Sequence, residues 1–268
     1  MKKLGKDALK LDFEKTTQEI VGFIRKIVEE GNAAGVVVGL SGGVDSSLVA
    51  TLCVRALGNE RVLGVIMPMA FTPLEDVEDA EELAKWLGIR TKPVDVQDVG
   101  EAFFEALHID QNDLQQRIPM ANIRARIRMI VLYYYANLHN YLVVGTGDRS
   151  ERLIGYFTKY GDGGVDFLPT GHLYKTQVRE LAKYLGIPDK IAYKPSSPQL
   201  YPGHKATDEI PLSYEELDPV LVRLFDQKLP PREVSRLTGV AIEVVEEVLR
   251  RFSRSRHKRA CPPMVREG

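Results

Sequence analysis

Cysteine is almost missing from this chain: Cys53 and Cys261 are the only two among 268 residues. Two thiols exclude a disulfide-built scaffold. Cys53 falls in the apolar pattern of a helix, and both read as structural thiols in a reducing compartment. An excess of either charge is missing too, because 36 basic and 37 acidic side chains leave a formal charge of -1. That balance speaks against general binding to nucleic acid or to membrane surfaces, although it leaves room for a local basic patch. No apolar run reaches the length of a membrane span, and the opening MKKLGKDALKLDFEK has basic residues without an apolar core behind them. A soluble cytoplasmic protein is expected. A constant-period repeat and a low-complexity linker are also lacking, which favours one domain over residues 1–268.

What is present is alternation. Between Asp12 and Glu30 the residues Phe13, Ile20, Phe23, Ile24 and Ile27 recur at helical spacing, and Gly31 with Asn32 ends the pattern. Val36 to Gly39 is short, apolar and β-branched, as suits a strand covered on both faces. Beyond Gly42 and Gly43 a helical pattern runs from Ser46 to Leu57. The unit repeats with a strand from Val62 to Pro68, the helix EDVEDAEELAKWLG, and a third strand from Arg90 to Val96. A long aromatic-rich helix, NIRARIRMIVLYYYANLHN, then leads into the strand YLVVGTGD. Such order indicates βαβ units and an α/β fold, a parallel sheet with helices on both faces. Ligands bind beyond the carboxyl ends of such strands. Both glycine-rich breaks, 39–43 and 145–147, fall at such ends. Six of the eight residues from Glu75 to Glu82 are acidic, and they read as a solvated helix face without chemistry.

The turn SGGVDSS, Ser41 to Ser47, has a definite physical capacity. Glycines let the backbone turn sharply and approach a ligand, and the following helix offers free N–H groups and the positive end of its dipole to a phosphate. Ser41, Ser46 and Ser47 add hydroxyl donors. Asp45 fits either plain dipole pairing or a magnesium site, since a carboxylate beside polyphosphate repels it unless a hard cation intervenes; spacing leaves both open. The run is neither GxxxxGK[ST] nor GxGxxG. It does match SGGxDS[ST], the loop of ATP pyrophosphatases, which cleave ATP between its α and β phosphates. That match alone leaves several nitrogen- and sulfur-transferring families open. A tRNA-thiolating enzyme would ordinarily need catalytic cysteines near the loop and a basic RNA surface, and neither is evident here.

Gly145 to Pro188, GTGDRSERLIGYFTKYGDGGVDFLPTGHLYKTQVRELAKYLGIP, resembles the corresponding part of the NAD⁺ synthetase family. NIRARIRM and the late HKR segment resemble it too, so the likeness covers roughly residues 12 to 264. The resemblance implies a Rossmann-like, adenine nucleotide α-hydrolase-like fold and a homodimer with substrate sites near the subunit interface. It implies adenylation of the nicotinate carboxylate of deamido-NAD⁺ by MgATP, then replacement of AMP by ammonia. The apolar residues of the Ile123 to Tyr141 stretch suit such an interface as well as they suit an ordinary core.

The resemblance also implies roles. ATP binding falls on Gly39, Ser41, Gly42, Gly43, Val44, Asp45, Ser46 and Ser47, with Thr146, Lys175 and Ser197 beyond them. Magnesium falls on Asp45 and Glu151. Deamido-NAD⁺ binding falls on Arg126, on Lys159, Asp162 and Asp166, and on His257 and Lys258. Asp162 and Lys175 are the catalytic pair, near the ammonia position and the reacting carboxylate respectively. Read without the family, Asp162 is a turn residue, Glu151 a surface glutamate, and Lys175 a first-turn lysine that the helix dipole mildly disfavours. KPSSPQL departs from the commoner KxPT/S pattern, so Ser196 and Ser197 both remain candidates for the phosphate-binding hydroxyl. GDRSE stands where some members have a His-Ala pair before the glutamate, so no histidine role carries over to that stretch. Residues 201–209 and 254–259 are expected to move with substrate, and free ammonia, not glutamine, is the expected nitrogen donor.

Overall fold

The structure is a computed structural model that describes residues 9–197, 200, 201, 203, 209, 210 and 212–265. The Asp12 side chain accepts a hydrogen bond from the Lys15 amide at 3.1 Å and so caps α1, Phe13–Glu30. The βαβ series follows: β1 (Gly35–Leu40), α2 (Val44–Leu57), β2 (Val62–Ile66), α3 (Leu74–Leu87) and β3 (Arg90–Pro93). Next come α4 (Gln97–Ala106), α5 (Arg117–His139), β4 (Tyr141–Val144) and α6 (Arg149–Ile154). Helices α7 (Lys175–Tyr184), α8 (Asp189–Ala192), α9 (Tyr214–Leu221), α10 (Pro231–Thr238) and α11 (Ile242–Arg254) complete the order.

Among the described residues all strand pairings are parallel, in the order β3-β2-β1-β4. Alternate β1 residues part to opposite faces, as strand geometry demands. Val36, Val38 and Leu40 pack with α1, α2 and α7, whereas Val37 joins Ile127 and Ala136 of α5 on the other face. The sheet is therefore sandwiched, and its inner strand β1 carries the phosphate-loop sequence straight out of the core. A third apolar cluster unites α6 with α9, α10 and α11 through Ile154, Leu217, Val234, Val245 and Val248.

Several boundaries differ from the sequence reading for local reasons. β2 leaves the sheet after Ile66, ahead of Pro68, and the edge strand β3 ends on Pro93, which has no N–H to donate. α5 starts at Arg117 rather than Asn122, because the Leu114–Gln116 turn feeds directly into it and Pro119 is tolerated in a first turn. The acidic face of α3 is only partly solvated. Asp76 and Asp79 are buried, and Lys194 pairs with both while Lys190 reaches Asp79 at 2.7 Å. Of the first segment expected to move, residues 202 and 204–208 lie outside the described residues. The second is docked: Lys258 Nζ donates to the Gly155 and Phe157 carbonyls at 2.8 and 2.7 Å, and Arg259 donates to the Arg152 carbonyl at 3.0 Å. Cys53 is fully buried, which pushes its thiol up to about 12, in keeping with a structural thiol. Among the described residues no helix is long and apolar enough to cross a membrane.

Candidate active site

A cavity of about 400 Å³ opens beyond the carboxyl ends of β1, β2 and β4, where Leu40, Ile66 and Val144 reach its wall. Gly42 makes the turn out of β1 with φ +73, and a Cβ there would stand 2.1 Å from the Asp76 carbonyl oxygen. Only glycine lets the loop make this turn against the first turn of α3. Ser46 Oγ accepts from the Ser41 amide at 3.2 Å and donates to the Gly43 carbonyl at 3.1 Å, while Ser47 Oγ donates to the same carbonyl at 2.8 Å. These bonds set the loop before any ligand arrives. Gly43 caps α2 without a side chain, so the start of that helix faces the cavity bare.

Asp45, one residue into α2, is brought against the start of α6. Asp148 caps α6 by accepting from the Glu151 amide at 2.8 Å, and the Glu151 side chain answers with the Asp148 amide at 3.3 Å. That reciprocal cap fixes both carboxylates beside Lys175, the first residue of α7. Lys175 Nζ lies 2.7 Å from both Asp45 oxygens, 2.9 Å from Glu151 and 3.0 Å from Asp148, and the side chain is wholly buried. Burial alone would lower the ammonium, yet Asp148, Asp45 and Glu151 together hold it well above its usual value. Burial raises Asp148, to about 6 with Lys175 opposing and Asp45 assisting. It also raises Glu151, assisted by Asp148.

The start of α7 is itself anchored. The Lys175 amide donates to Ser150 Oγ at 3.0 Å, Ser150 Oγ donates to Asp218 at 2.5 Å, and the Thr176 amide and hydroxyl both donate to Asp218 at 2.8 Å. Asp218, on α9, is completely buried. Thus the C-terminal helices position the lysine that the sheet's carboxylates surround.

Among the described residues no three His, Cys, Asp or Glu side chains are arranged around a metal-sized space; the three carboxylates converge on an ammonium. The donor set nevertheless fits a hard divalent cation. Three carboxylates against one ammonium leave net negative charge, and Asp45 and Glu151 each keep an accessible edge, 25 and 20% of the side chain, on the cavity. Asp148 has none, so Asp45 and Glu151 are the pair that could hold an ion.

Across the cavity Asp162 lies in the turn after Thr158 and accepts from the Thr158 amide at 2.8 Å. Asp162 keeps an exposed surface, yet the protein packed around it removes enough solvation to raise its carboxyl despite the opposing pull of the Thr158 amide, Lys258 and Arg128. Arg128, which the sequence reading passed over, lines the same wall; burial lowers its guanidinium to about 10. Thr146 and Lys258 also reach the cavity. Both Ser196 and Ser197 do so, and Ser196 Oγ is buried without a hydrogen-bond partner among the described residues. Arg126, Lys159, Asp166 and His257 do not line it. Arg126 is exposed and donates to the Lys159 carbonyl at 3.3 Å. Asp166 accepts from the Val143 amide at 2.7 Å and from the Tyr133 hydroxyl at 3.0 Å, tying the loop to β4.

Comparison with known proteins agrees with this geometry. Residues 16–262 match the NAD synthase family. The chain is 50% identical over 260 residues to the NH(3)-dependent NAD(+) synthetase of Staphylothermus marinus, across 97% of this chain and 94% of that protein. Among solved structures, an NMN synthetase from Francisella tularensis is similar with a TM-score of 0.83 and 33% identity, covering 96% of this chain and 99% of that one. An NH3-dependent NAD synthetase from Campylobacter jejuni is similar with a TM-score of 0.80 and 33% identity, covering 96 and 100%. With a family match over nearly its whole length and half its residues shared with such a relative, the chain belongs to the NAD synthase family.

Proposed function

We propose that this chain makes NAD⁺ from deamido-NAD⁺, ATP and ammonia, with magnesium held by Asp45 and Glu151. The observation that carries the reading is the meeting of the phosphate-loop aspartate and Glu151 at the floor of a cavity lined by that loop. Magnesium there would neutralise charge on the phosphate chain of ATP. The bare start of α2 and the hydroxyls of Ser41 and Ser46 suit the pyrophosphate end. A carboxylate oxygen of the substrate attacks the α-phosphorus, the bond from that phosphorus to the bridging oxygen breaks, and pyrophosphate leaves. Ammonia then attacks the adenylated carboxyl carbon, the bond to the AMP oxygen breaks, and one proton is lost from nitrogen. Asp162, raised by the protein packed around it, is suited to orient ammonium and accept that proton. Lys175 holds the carboxylates in register from beneath the cavity and supplies positive charge close to the reacting groups.

The surface of α5 supports a homodimer as part of this reading. Ile130, Tyr134 and Leu138 recur every four residues on α5 and are more than half exposed, at 56, 61 and 59%, an apolar stripe that a second copy would cover. Arg126 lies on the same helix, so deamido-NAD⁺ residues that miss the cavity of one copy would serve near that interface. One similar structure is that of an NMN synthetase, which makes the mononucleotide with the same carboxylate the second substrate to compare.

The test is a purified-protein assay with MgATP, deamido-NAD⁺ and ammonium, reading NAD⁺ and pyrophosphate together. Equal amounts of both are expected, with no NAD⁺ formed from glutamine in ammonia-free buffer. Asp45→Asn or Glu151→Gln should slow pyrophosphate release by orders of magnitude at limiting magnesium. Parental rates in both variants would remove the metal assignment.

A further inference from the structure

Tyr214 is the first residue of α9, with Ser213 as cap. Its ring packs in the C-terminal cluster with Leu217 and Leu221, and the residue is only 6% exposed. It also lines the cavity, and its hydroxyl is buried without a hydrogen-bond partner among the described residues. A buried phenol that packs its ring almost always finds a partner for its O–H. The ring lies over Lys175 Nζ, 5.2 Å from the ring centroid, and Arg179 approaches it at 5.8 Å. Glu151, Asp148 and Asp45 are the anionic groups that act on it. The orphan hydroxyl therefore belongs to a ring that lines the same cavity as Asp45, Glu151 and the phosphate loop.

We infer that the Tyr214 hydroxyl donates a hydrogen bond to a phosphate oxygen of the bound nucleotide, an inference that rests on the ATP-dependent reading above. The chemistry favours this partner. A phenol is a neutral donor at physiological pH, so it can hold an anionic oxygen without adding charge to a site already rich in carboxylates. Its ring is locked by packing, so ligand binding satisfies a hydroxyl that costs free energy while unpaired and requires little ordering of the side chain.

The test is Tyr214→Phe in the full chain, which keeps the ring and deletes only the oxygen. Calorimetry with magnesium and α,β-methylene ATP should show about tenfold weaker binding, the usual weight of one such bond. The KM for ATP should rise in parallel, the KM for deamido-NAD⁺ should stay within about twofold, and the ligand-free melting temperature should hold or increase. That last sign separates ligand binding from a structural role, because a structural hydroxyl lowers the melting temperature when removed. Unchanged nucleotide affinity, a shift confined to deamido-NAD⁺, or a lower melting temperature with both substrates weakened would each overturn the inference. A parent that binds the analogue but forms no NAD⁺ would overturn the functional reading while leaving the binding comparison decisive. A parent that binds no nucleotide would overturn both.

Discussion

Replacing Lys175 by methionine removes the cation that Asp45, Asp148 and Glu151 share. The side chain is wholly buried, with oxygens at 2.7, 2.9 and 3.0 Å, so no water can take the ammonium's place without entering the protein. Removing one member of a buried ion pair costs about 3–5 kcal/mol, chiefly because the remaining charge is stranded. Here three carboxylates are stranded, but Asp45 and Glu151 retain accessible edges, which keeps the loss near that range. At about 2–4 °C per kcal/mol for a chain of this size, the melting temperature should fall by roughly 10 °C. Differential scanning calorimetry of parent and variant, with and without excess magnesium, reads the effect. Magnesium should recover more stability in Lys175→Met than in the parent, since a divalent cation can neutralise the carboxylates the lysine abandoned. A variant that melts with the parent, or one indifferent to magnesium, would refute the reasoning.

The other predictions are shorter. Asp162→Asn keeps an acceptor for the Thr158 amide but cannot take a proton, so amide formation should slow roughly 10²- to 10⁴-fold with pyrophosphate release largely spared. The Asp162 carboxyl is raised in the folded protein: both states are neutral below the unfolded value, and ionisation costs stability as pH rises through the folded value. Asp162→Asn should therefore match or exceed the parent in urea unfolding at neutral pH, and a clear loss would return Asp162 to a turn-forming role. Gly42→Ala demands a left-handed alanine, costing about 1–2 kcal/mol, and forces the loop from the Asp76 carbonyl 2.1 Å away; nucleotide affinity should fall sharply. Lys194→Met removes the cation that Asp76 and Asp79 share between α3 and the Ser196 segment, leaving Lys190 on Asp79, so both melting temperature and ATP affinity should drop, and unchanged ATP affinity would uncouple that ion pair from the site.

Much of this fold was legible because it is local. The continuous apolar runs at Val36 and Val62 and the Ser-Gly-Gly break need only their own residues to declare a strand, a turn and a helix, and the structure has them there. The phosphate-loop side of the site was legible for the same reason. Asp148 offered a readable signal, since Asp-Arg-Ser-Glu is a capping box, but its second role depends on Lys175, 27 positions later. Asp76 and Asp79 looked solvated because the lysine that buries them is 118 and 115 residues away. Arg128 and Tyr214 carry no local mark at all: one sits in a run of helix arginines, the other in an ordinary helix start, and only the tertiary fold turns them into the cavity.

The central claim is that a substrate carboxylate is joined to AMP before ammonia displaces it. Deamido-NAD⁺ labelled with ¹⁸O in both carboxylate oxygens, incubated with the protein, MgATP and ammonium, tests it by mass spectrometry of the products. The account predicts AMP carrying one labelled oxygen and NAD⁺ retaining the other in its amide. Label in pyrophosphate, or AMP without label while NAD⁺ is formed, would contradict it.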